Sequence, residues 1–400
     1  MIRAPLPVSA APSGSPGPDR AGSENLAVAA LALAAFSLNL NTNVLGALLP
    51  FLREPLSLSD EMGKYLLAAA GFGSAVGALA FDRLARSTSR RSVLVVGLGV
   101  FVVASLLHLV PGSAWWLLAL RAVAGLAVGV AYAAASAAVA EAVPYGRRGA
   151  AMGRFNAGMF LAIPIGMPVS VALARWGYWP GVFVLQAAVA ALGGFWALRA
   201  VPVGEPTSER PSLLAVLRSG SAAAGLLATL LHVGSFFTTV QLATSWLDRT
   251  GRLAKEDQML LWVGLGAAAV VGSTVFGRLS DWLGKRNFVL VSSAVLVGCF
   301  LLLTQEPETT SLLAIGGTIA VVASARTGPL QALVSGLVPK HQLNALMSLR
   351  GFAMQVGVGI FAVVAAPLAD RLGFHGVLFL AAGWQFVSYV AIRMWVREGR

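Results

Sequence analysis

The sequence is poor in charge and in cysteine. Only 12% of its 400 residues are charged, against about 25% in a typical soluble domain, while 57% are hydrophobic and the mean hydropathy is +0.77. The single cysteine, Cys299, excludes a disulfide within the chain, and no Cys/His spacing predicts a metal site. A phosphate-binding loop and a nucleophile–base set are also missing, so we expect neither ATP-driven chemistry, nor an enzyme, nor a cofactor.

The apolar residues form runs of about 20 residues along nearly the whole chain, which is the length of a membrane-crossing helix. A β-barrel would instead show shorter segments of alternating hydrophobicity. We therefore predict an all-α polytopic membrane protein with twelve transmembrane helices. The predicted spans are 26–50, 64–81, 92–111, 115–140, 149–174, 179–200, 216–246, 258–277, 287–304, 311–337, 343–368 and 373–396.

The polar segments divide the chain into four parts. Residues 1–24 are rich in Pro, Ala, Ser and Gly and lack the apolar core of a signal peptide, so we predict a disordered cytoplasmic tail. The longest polar connection separates two groups of six spans. We place the N-terminal six-helix bundle at 25–200, a cytoplasmic linker at 201–215 and the C-terminal six-helix bundle at 216–400.

The basic residues indicate the orientation. With the N-terminus inside, the tails and even-numbered connections hold 20 of the 29 Lys and Arg residues, the odd-numbered connections hold 8, and Arg326 is the last. Positive charge accumulates on the cytoplasmic side. We predict that both termini are cytoplasmic, in a bacterial inner membrane, and that the net charge of +12 reflects topology and not nucleic-acid binding.

Two connections resemble each other, which indicates an internal duplication. They read "GALAFDRLARSTSRRSVL" (77–94) and "GRLSDWLGKRNFVL" (277–290). One insertion of four residues in the first copy changes the offset from 199 to 195, and later landmarks keep 195. Duplicated bundles with a site between them at mid-membrane are typical of secondary transporters. The aligned pairs are Asp82 with Asp281, Arg90 with Lys285, Arg91 with Arg286, and Pro144 with Pro339.

The second connection resembles the signature loop of the major facilitator superfamily, roughly G-x-L-x-D-x-x-G-x-R. Gly277, Asp281, Gly284 and Arg286 fall at its spacing. "RAVAGLAVG" (121–129) resembles the fourth-span motif, and "NAGMFLAIPIGMP" (156–168) weakly resembles the fifth-span motif of antiporters, without its doubled Gly-Pro. "VPYGRRGAAMG" and "ARTGPLQALVSGLVP" resemble bacterial sugar and drug efflux permeases. The resemblance implies two pseudo-symmetric bundles and transport by alternating access.

A gate on the cytoplasmic side is expected around the duplicated loops. Asp281 can meet either a helix N-terminus, where the helix dipole favours an anion, or a basic side chain. Gly277 allows close helix approach. The alternative is that the basic residues only fix the topology. The candidate gating residues are Asp82, Arg83, Arg90, Arg91, Arg121, Glu141, Gly277, Asp281 and Arg286.

The resemblance implies that spans 1, 4, 7 and 10 face a central cavity, and each of them contains polar groups. Asn39 and Asn43 lie four residues apart, on one helical face. Such side chains either bind substrate or join helices by hydrogen bonds, and His108 or His232 could carry protons. The candidate substrate-binding residues are Asn39, Asn43, Tyr132, His232, Phe236, Gln241, Arg326 and Gln331.

Arg326 has no obvious partner, because none of the 17 Asp and Glu residues lies in the middle of a span. A buried guanidinium needs hydrogen-bond acceptors. Three are available: backbone carbonyls freed by Pro329, polar groups such as the span 1 asparagines, or the substrate. Arg121 lies near a span end, where its side chain is expected to extend to the membrane surface.

Three functions are consistent with these residues. The first is proton-coupled efflux, by antiport, of a small organic molecule such as a drug, sugar or metabolite. The second is organic-anion exchange or facilitated transport, with Arg326 as the counter-charge. The third is a non-transporting membrane receptor on the same fold. We expect a monomer in the lipid bilayer, with a small molecule and protons as its partners.

Overall fold

The computed structural model describes residues 18–53, 56, 58–110, 112–203 and 213–398. Helix already begins at Pro18, so the predicted tail is too long by seven residues. Proline suits the first turn of a helix, where its missing N–H is not needed. Glu24 then lies 3.0 Å from Arg147 in an ion pair. Most of the predicted linker, residues 204–212, lies outside the described residues.

The first six spans end close to the predicted borders. Span 5 contains one wide π-turn, Ala162–Gly166, around Pro164, which has no N–H to donate to the preceding turn. The helices are Pro18–Leu52, Asp60–Ser87, Arg90–Leu107, Ala114–Ala142, Arg148–Leu161 with its continuation Met167–Arg175, and Gly181–Ala200.

The second group of spans begins after a short helix, Leu213–Arg218. Its helices are Gly220–Thr250, Lys255–Leu283, Lys285–Leu303, Thr309–Ser335 and Leu343–Trp395. Among the described residues, 11 helical stretches are long and apolar enough to cross a membrane.

The last of these stretches is two spans. Its backbone breaks at Gly373, whose φ of 63° lies in the left-handed region that glycine tolerates best. The rings of Phe361 and Trp384 lie 4.9 Å apart. A continuous helix would separate them by about 35 Å, at ~1.5 Å per residue. The chain therefore turns back at Gly373, and the described residues contain the twelve spans predicted from the sequence, with spans 11 and 12 on either side of this glycine.

Equivalent contacts support the internal duplication. Arg91 and Arg286, the aligned arginines that begin spans 3 and 9, bind backbone carbonyls at the ends of spans 6 and 12. Those carbonyls have no partner inside their own helices. The acceptor residues also differ by 195 in number. The bonds are Arg91 to Leu198 O (3.1 Å) and Val201 O (3.4 Å), and Arg286 to Arg393 O (2.9 Å) and Val396 O (2.7 Å).

The two groups of spans form two halves, residues 18–203 and 213–398, which meet along two seams. Span 5 packs against spans 8 and 10, and span 2 packs against span 11. The span ends form two faces. The termini face contains the start of span 1, the end of span 12, the connections 2–3, 4–5, 8–9 and 10–11, and the end of span 6, which Arg91 of the 2–3 connection contacts. The opposite face contains the connections 1–2, 3–4, 5–6, 7–8, 9–10 and 11–12.

Candidate functional site

Asp281 joins the two halves at the termini face. Its carboxylate accepts hydrogen bonds from the backbone N–H groups of Gly149 (2.9 Å) and Ala150 (2.8 Å). These groups are in the first turn of span 5, where N–H groups have no partner inside the helix and the helix dipole attracts an anion. The Lys285 ammonium lies 2.8 Å from the same carboxylate. Both partners considered from the sequence, a helix N-terminus and a basic side chain, are therefore present.

Glycines let spans 5 and 8 cross closely enough for these bonds. A Cβ atom at Gly277 would lie 2.8 Å from the backbone oxygen of Gly149. A Cβ atom at Gly153 would lie 2.3 Å from the backbone oxygen of Ser273, whose hydroxyl donates to the Gly153 carbonyl (2.8 Å). The backbones of the two halves are thus in direct contact around Asp281.

Glu398 and Tyr145 extend this cluster, and sequence reasoning missed both. The Tyr145 hydroxyl donates to Glu398 across the halves (3.0 Å). Glu398 also accepts from the backbone N–H groups of Lys285 (3.2 Å) and Arg286 (2.9 Å), so it caps span 9. The Lys285 ammonium lies 4.3 Å from the centre of the Tyr145 ring, within reach of a cation–π interaction.

The first-half copy of the loop is arranged differently. Asp82 is buried and pairs with Arg86 in its own helix, while Arg83 is exposed. Arg90 pairs with Glu141 and also donates to Asn344 at the start of span 11 (2.5 Å). The structure therefore brings Arg90 and Glu141 to the seam between the halves, but not Arg83. Arg91 and Arg286 were candidate gating residues, and their contacts described above lie within single halves.

A row of polar side chains crosses between the halves about two helical turns farther from the termini face than the contacts of Asp281 and Arg90. The Tyr132 hydroxyl donates to Asn156 (3.1 Å) and lies beside the Arg350 guanidinium. The Asn156 amide donates in turn to Gln331 (3.0 Å). We call Tyr132, Asn156, Gln331 and Arg350 the polar row. It crosses the seam twice, between Asn156 and Gln331 and between Tyr132 and Arg350, and links spans 4, 5, 10 and 11.

Arg350 corrects the charge count made from the sequence. That count assigned it to the connection between spans 10 and 11, whereas it lies seven residues inside span 11 and is 2% exposed. The predicted span 343–368 already included Arg350, but the charge count grouped it with the nearby connection. Asn156 was overlooked because it was considered only as part of the fifth-span motif.

The span 1 asparagines are bound to protein. Asn39 donates to the backbone oxygen of Met159 on span 5 (2.8 Å). Asn43 donates to the backbone oxygen (2.9 Å) and side-chain oxygen (3.1 Å) of Asn39, so the two share a helical face as predicted. Both side chains are half-buried. These contacts join spans 1 and 5 in this conformation.

The predicted extension of Arg121 to the membrane surface is wrong. Its side chain is fully buried and turns inward to span 1, where it donates to the side-chain oxygen (2.7 Å) and backbone oxygen (3.0 Å) of Asn41. These acceptors replace solvent for a guanidinium that is costly to leave unpaired. Arg121 lies near the start of span 4, which is close to the opposite face and away from the contacts between the halves at the termini face.

Arg326 finds a partner that the sequence did not suggest. It is fully buried and donates to the Ser388 hydroxyl of span 12 (2.7 Å). Its Nε and Nη1 atoms have no partner among the described residues. The span 1 asparagines that were considered for it bind elsewhere. Arg326 therefore points into the second half and away from the polar row.

His232 belongs to the same interior cluster. Its ring nitrogens lie 3.3 Å from the Thr327 hydroxyl and 3.2 Å from the Gln385 amide, on spans 10 and 12. Phe236 is next to it, with ring centres 6.3 Å apart. Gln241 is exposed.

His108 lies in the first half, far from both clusters. Its ring bonds the Ala104 carbonyl (2.7 Å) and stacks on Phe183 (4.1 Å).

Comparison with known proteins agrees with this architecture. The family profile described as Major Facilitator Superfamily matches residues 31–304 and 226–400. The "Chloramphenicol resistance protein" of Streptomyces lividans is 29% identical over 275 residues, which are 67% of this chain and 70% of that protein.

Solved structures share the fold at low identity. The human organic anion transporter MFSD10 (TETRAN) matches 94% of this chain and 100% of its own, with 16% identity and a TM-score of 0.71. The proton:xylose symporter XylE, bound to 6-bromo-6-deoxy-D-glucose, matches 95% of this chain and 97% of its own, with 16% identity and a TM-score of 0.75. With twelve spans, the loop motif at the seam between the halves and a family match over most of its length, this chain belongs to the major facilitator superfamily and is a multi-pass membrane transporter, not an enzyme.

Proposed function

We propose that this transporter exports a small organic molecule by alternating access, that a proton gradient drives it, and that its termini face is cytoplasmic. The observation that carries the mechanism is the Asp281 bridge, in which one carboxylate holds two backbone N–H groups of the other half. Because this bond crosses the halves, the cytoplasmic side can open only when it breaks. The distribution of Lys and Arg supports the orientation, in a bacterial inner membrane.

The polar row supplies the proposed substrate site. In the present conformation its groups contact one another across the seam, as in the Asn156–Gln331 bond of 3.0 Å. When the halves separate on the cytoplasmic side, each group loses its partner from the other half. A buried polar group without a partner is costly, so a substrate that offers donors and acceptors there is bound in place of the lost contacts. Asn39 and Asn43 border this region on span 1.

The proton step is assigned to His232. The described spans contain no mid-membrane carboxylate, which leaves histidine as the side chain that titrates near neutral pH. His232 sits in a hydrogen-bonded cluster of spans 7, 10 and 12, beside the Arg326 guanidinium. His108 stacks inside the first half, at the end of span 3.

The name of the Streptomyces relative suggests chloramphenicol as the first compound to test. Purified protein in proteoliposomes is given radiolabelled chloramphenicol, with and without an imposed pH gradient. We expect gradient-dependent accumulation that a protonophore abolishes. Asp281→Asn should abolish transport, and Asp248→Asn, at an exposed acid outside the seam, should not. Equal flux with and without the gradient would rule out proton coupling.

Arg350 favours a second candidate, exchange of an organic anion. It is a buried cation beside the neutral Tyr132 hydroxyl, and no carboxylate pairs with it among the described residues, so its charge is not neutralised locally. The solved structure of a human organic anion transporter shares the fold. This replaces Arg326 by Arg350 as the proposed counter-charge. Benzoate counterflow in proteoliposomes without a pH gradient tests it: exchange lost in Arg350→Met supports the anion, and absence of any benzoate flux excludes this compound.

A further inference from the structure

An apolar cavity lies inside the second half, toward the opposite face. Spans 7, 8, 9 and 10 and the start of span 12 border this cavity, which has a volume of about 100 Å³ and is partly open. Five aromatic side chains contribute to its wall, those of Phe236, Trp246, Trp262, Phe300 and Phe374. No charged side chain lines it among the described residues. The cavity belongs to one half only, so it is separate from the polar row at the seam.

Two hydrogen-bond donors in this wall have no partner. They are the Thr239 hydroxyl and the Trp262 indole N–H, both buried atoms without an acceptor among the described residues. Thr239 is only 5% exposed. The rest of the cavity wall is apolar, so it offers them nothing to bind.

Thr239 differs from other hydroxyl residues of its helix. A threonine or serine within a helix commonly donates to the carbonyl four residues earlier. Thr229 does so to Gly225 (3.0 Å), and Ser235 does so to Leu231 (2.7 Å). The Thr239 hydroxyl has no such bond and instead borders the cavity.

We propose that this cavity is a binding site for an uncharged, mostly aromatic or aliphatic molecule that carries a hydrogen-bond acceptor such as a carbonyl oxygen. The apolar wall excludes charge, because desolvating an ion without a counter-charge is unfavourable. An acceptor oxygen would satisfy the Thr239 hydroxyl, the Trp262 N–H, or both. Apolar pockets with a few placed polar groups are the usual form of small-molecule sites. The site needs neither half to move, so it does not depend on the proposed function.

Benzophenone is a suitable probe, because it is apolar, aromatic and has one carbonyl acceptor. On illumination its excited ketone abstracts a hydrogen atom from a nearby C–H bond, and the two carbon radicals combine into a covalent adduct. The full-length protein in detergent is labelled over a range of benzophenone concentrations. The adducts are then mapped and quantified by mass spectrometry of peptides.

We expect saturable labelling at cavity residues of spans 7, 8 and 10. Thr239→Val keeps the shape of the threonine side chain and removes its hydroxyl donor. Trp262→Phe keeps an aromatic ring and removes the indole N–H donor. Each should weaken the apparent affinity by roughly 5-fold, the effect of one neutral hydrogen bond.

Gly316→Leu should abolish cavity labelling, because an added Cβ there meets open space beside the cavity. Gly298→Leu is the matched control, since Gly298 is exposed and its Cβ position is equally free.

The results distinguish a ligand site from two simpler explanations. If an ordered water satisfies the two donors and no ligand enters, the wild type shows no saturable adduct in the cavity, and the proposal is wrong. If benzophenone only partitions into detergent and apolar surfaces, Gly316→Leu labels as the wild type does, and the proposal is also wrong. Thermal unfolding of each variant without probe confirms that the fold is intact.

Discussion

Asp281→Asn is the substitution whose effect can be worked out most fully from the structure. The carboxylate accepts two N–H groups, from Gly149 at 2.9 Å and Ala150 at 2.8 Å. A carboxamide has one acceptor oxygen, and its NH2 group would face the second N–H donor. The variant therefore loses one charge-assisted hydrogen bond, the attraction to the start of span 5 and the pairing with Lys285.

The size of the effect follows from these losses. A hydrogen bond to a charged group is worth about 1.5–3 kcal/mol, and an anion at a helix N-terminus contributes about 0.3–1 kcal/mol. Together they destabilise the closed termini face by about 2–4 kcal/mol, without counting Lys285. At ~1.4 kcal/mol per factor of ten, the ratio of closed to open molecules falls by roughly 30- to 1000-fold.

Spin-label distance measurements detect such a shift. Ser87→Cys and Lys340→Cys place labels on exposed positions of the two halves at the termini face, in a Cys299→Ser background. With Asp281→Asn we expect a longer-distance population that is minor in the parent. Asp248→Asn controls for the loss of an acid elsewhere. Identical distance distributions for the parent and the Asp281 variant would refute the reasoning.

Three further predictions test other parts of the site. Arg350→Met should lower kcat/KM for the transported substrate by about 10- to 100-fold, because one hydrogen bond to a charged group is lost. Binding in the apolar cavity should be unchanged. An unaltered kcat/KM would show that Arg350 is not part of the substrate site. Gly153→Ala should open the termini face in the spin-label assay, because its Cβ would lie 2.3 Å from the Ser273 oxygen, whereas Gly146→Ala, with free space around it, should not. Arg286→Ala should lower the free energy of unfolding by about 1–3 kcal/mol, since two bonds to the end of span 12 are lost; a change no larger than that of exposed Arg249→Ala in thermal unfolding would contradict this.

The sequence predicted the spans and the duplication well, because both depend on quantities that can be read along the chain. Hydropathy and length fix where a helix crosses the membrane. Gly373 marked the turn between spans 11 and 12, and the 195-residue offset predicted equivalence of Arg91 and Arg286. The sequence also offered a helix N-terminus and a basic side chain as alternative partners of Asp281, without naming the helix, and the structure contains both.

The partners of the buried polar side chains could not be predicted in this way. Hydropathy gives the depth of a residue but not the rotation of its helix. Arg326 and Gln331 lie on the same span, yet Arg326 turns to Ser388 inside the second half and Gln331 turns to Asn156 across the seam. Span 10 has apolar residues on all sides, so no polar face defines its orientation. Arg350 was missed for a different reason, because the charge count placed it in the connection although the predicted span 343–368 included it.

A reversible cross-link across the termini face tests the central claim most directly. The Arg148 guanidinium donates to the Ser335 hydroxyl across the seam, at 3.0 Å. Arg148→Cys and Ser335→Cys, in the Cys299→Ser background, are joined by a short bis-methanethiosulfonate reagent, and substrate flux is measured in proteoliposomes before and after reduction. We predict no flux while the halves are joined and full recovery on reduction, with no effect of the reagent on either single variant. Flux that continues unchanged through the cross-linked protein would contradict alternating access by separation of the halves at this face.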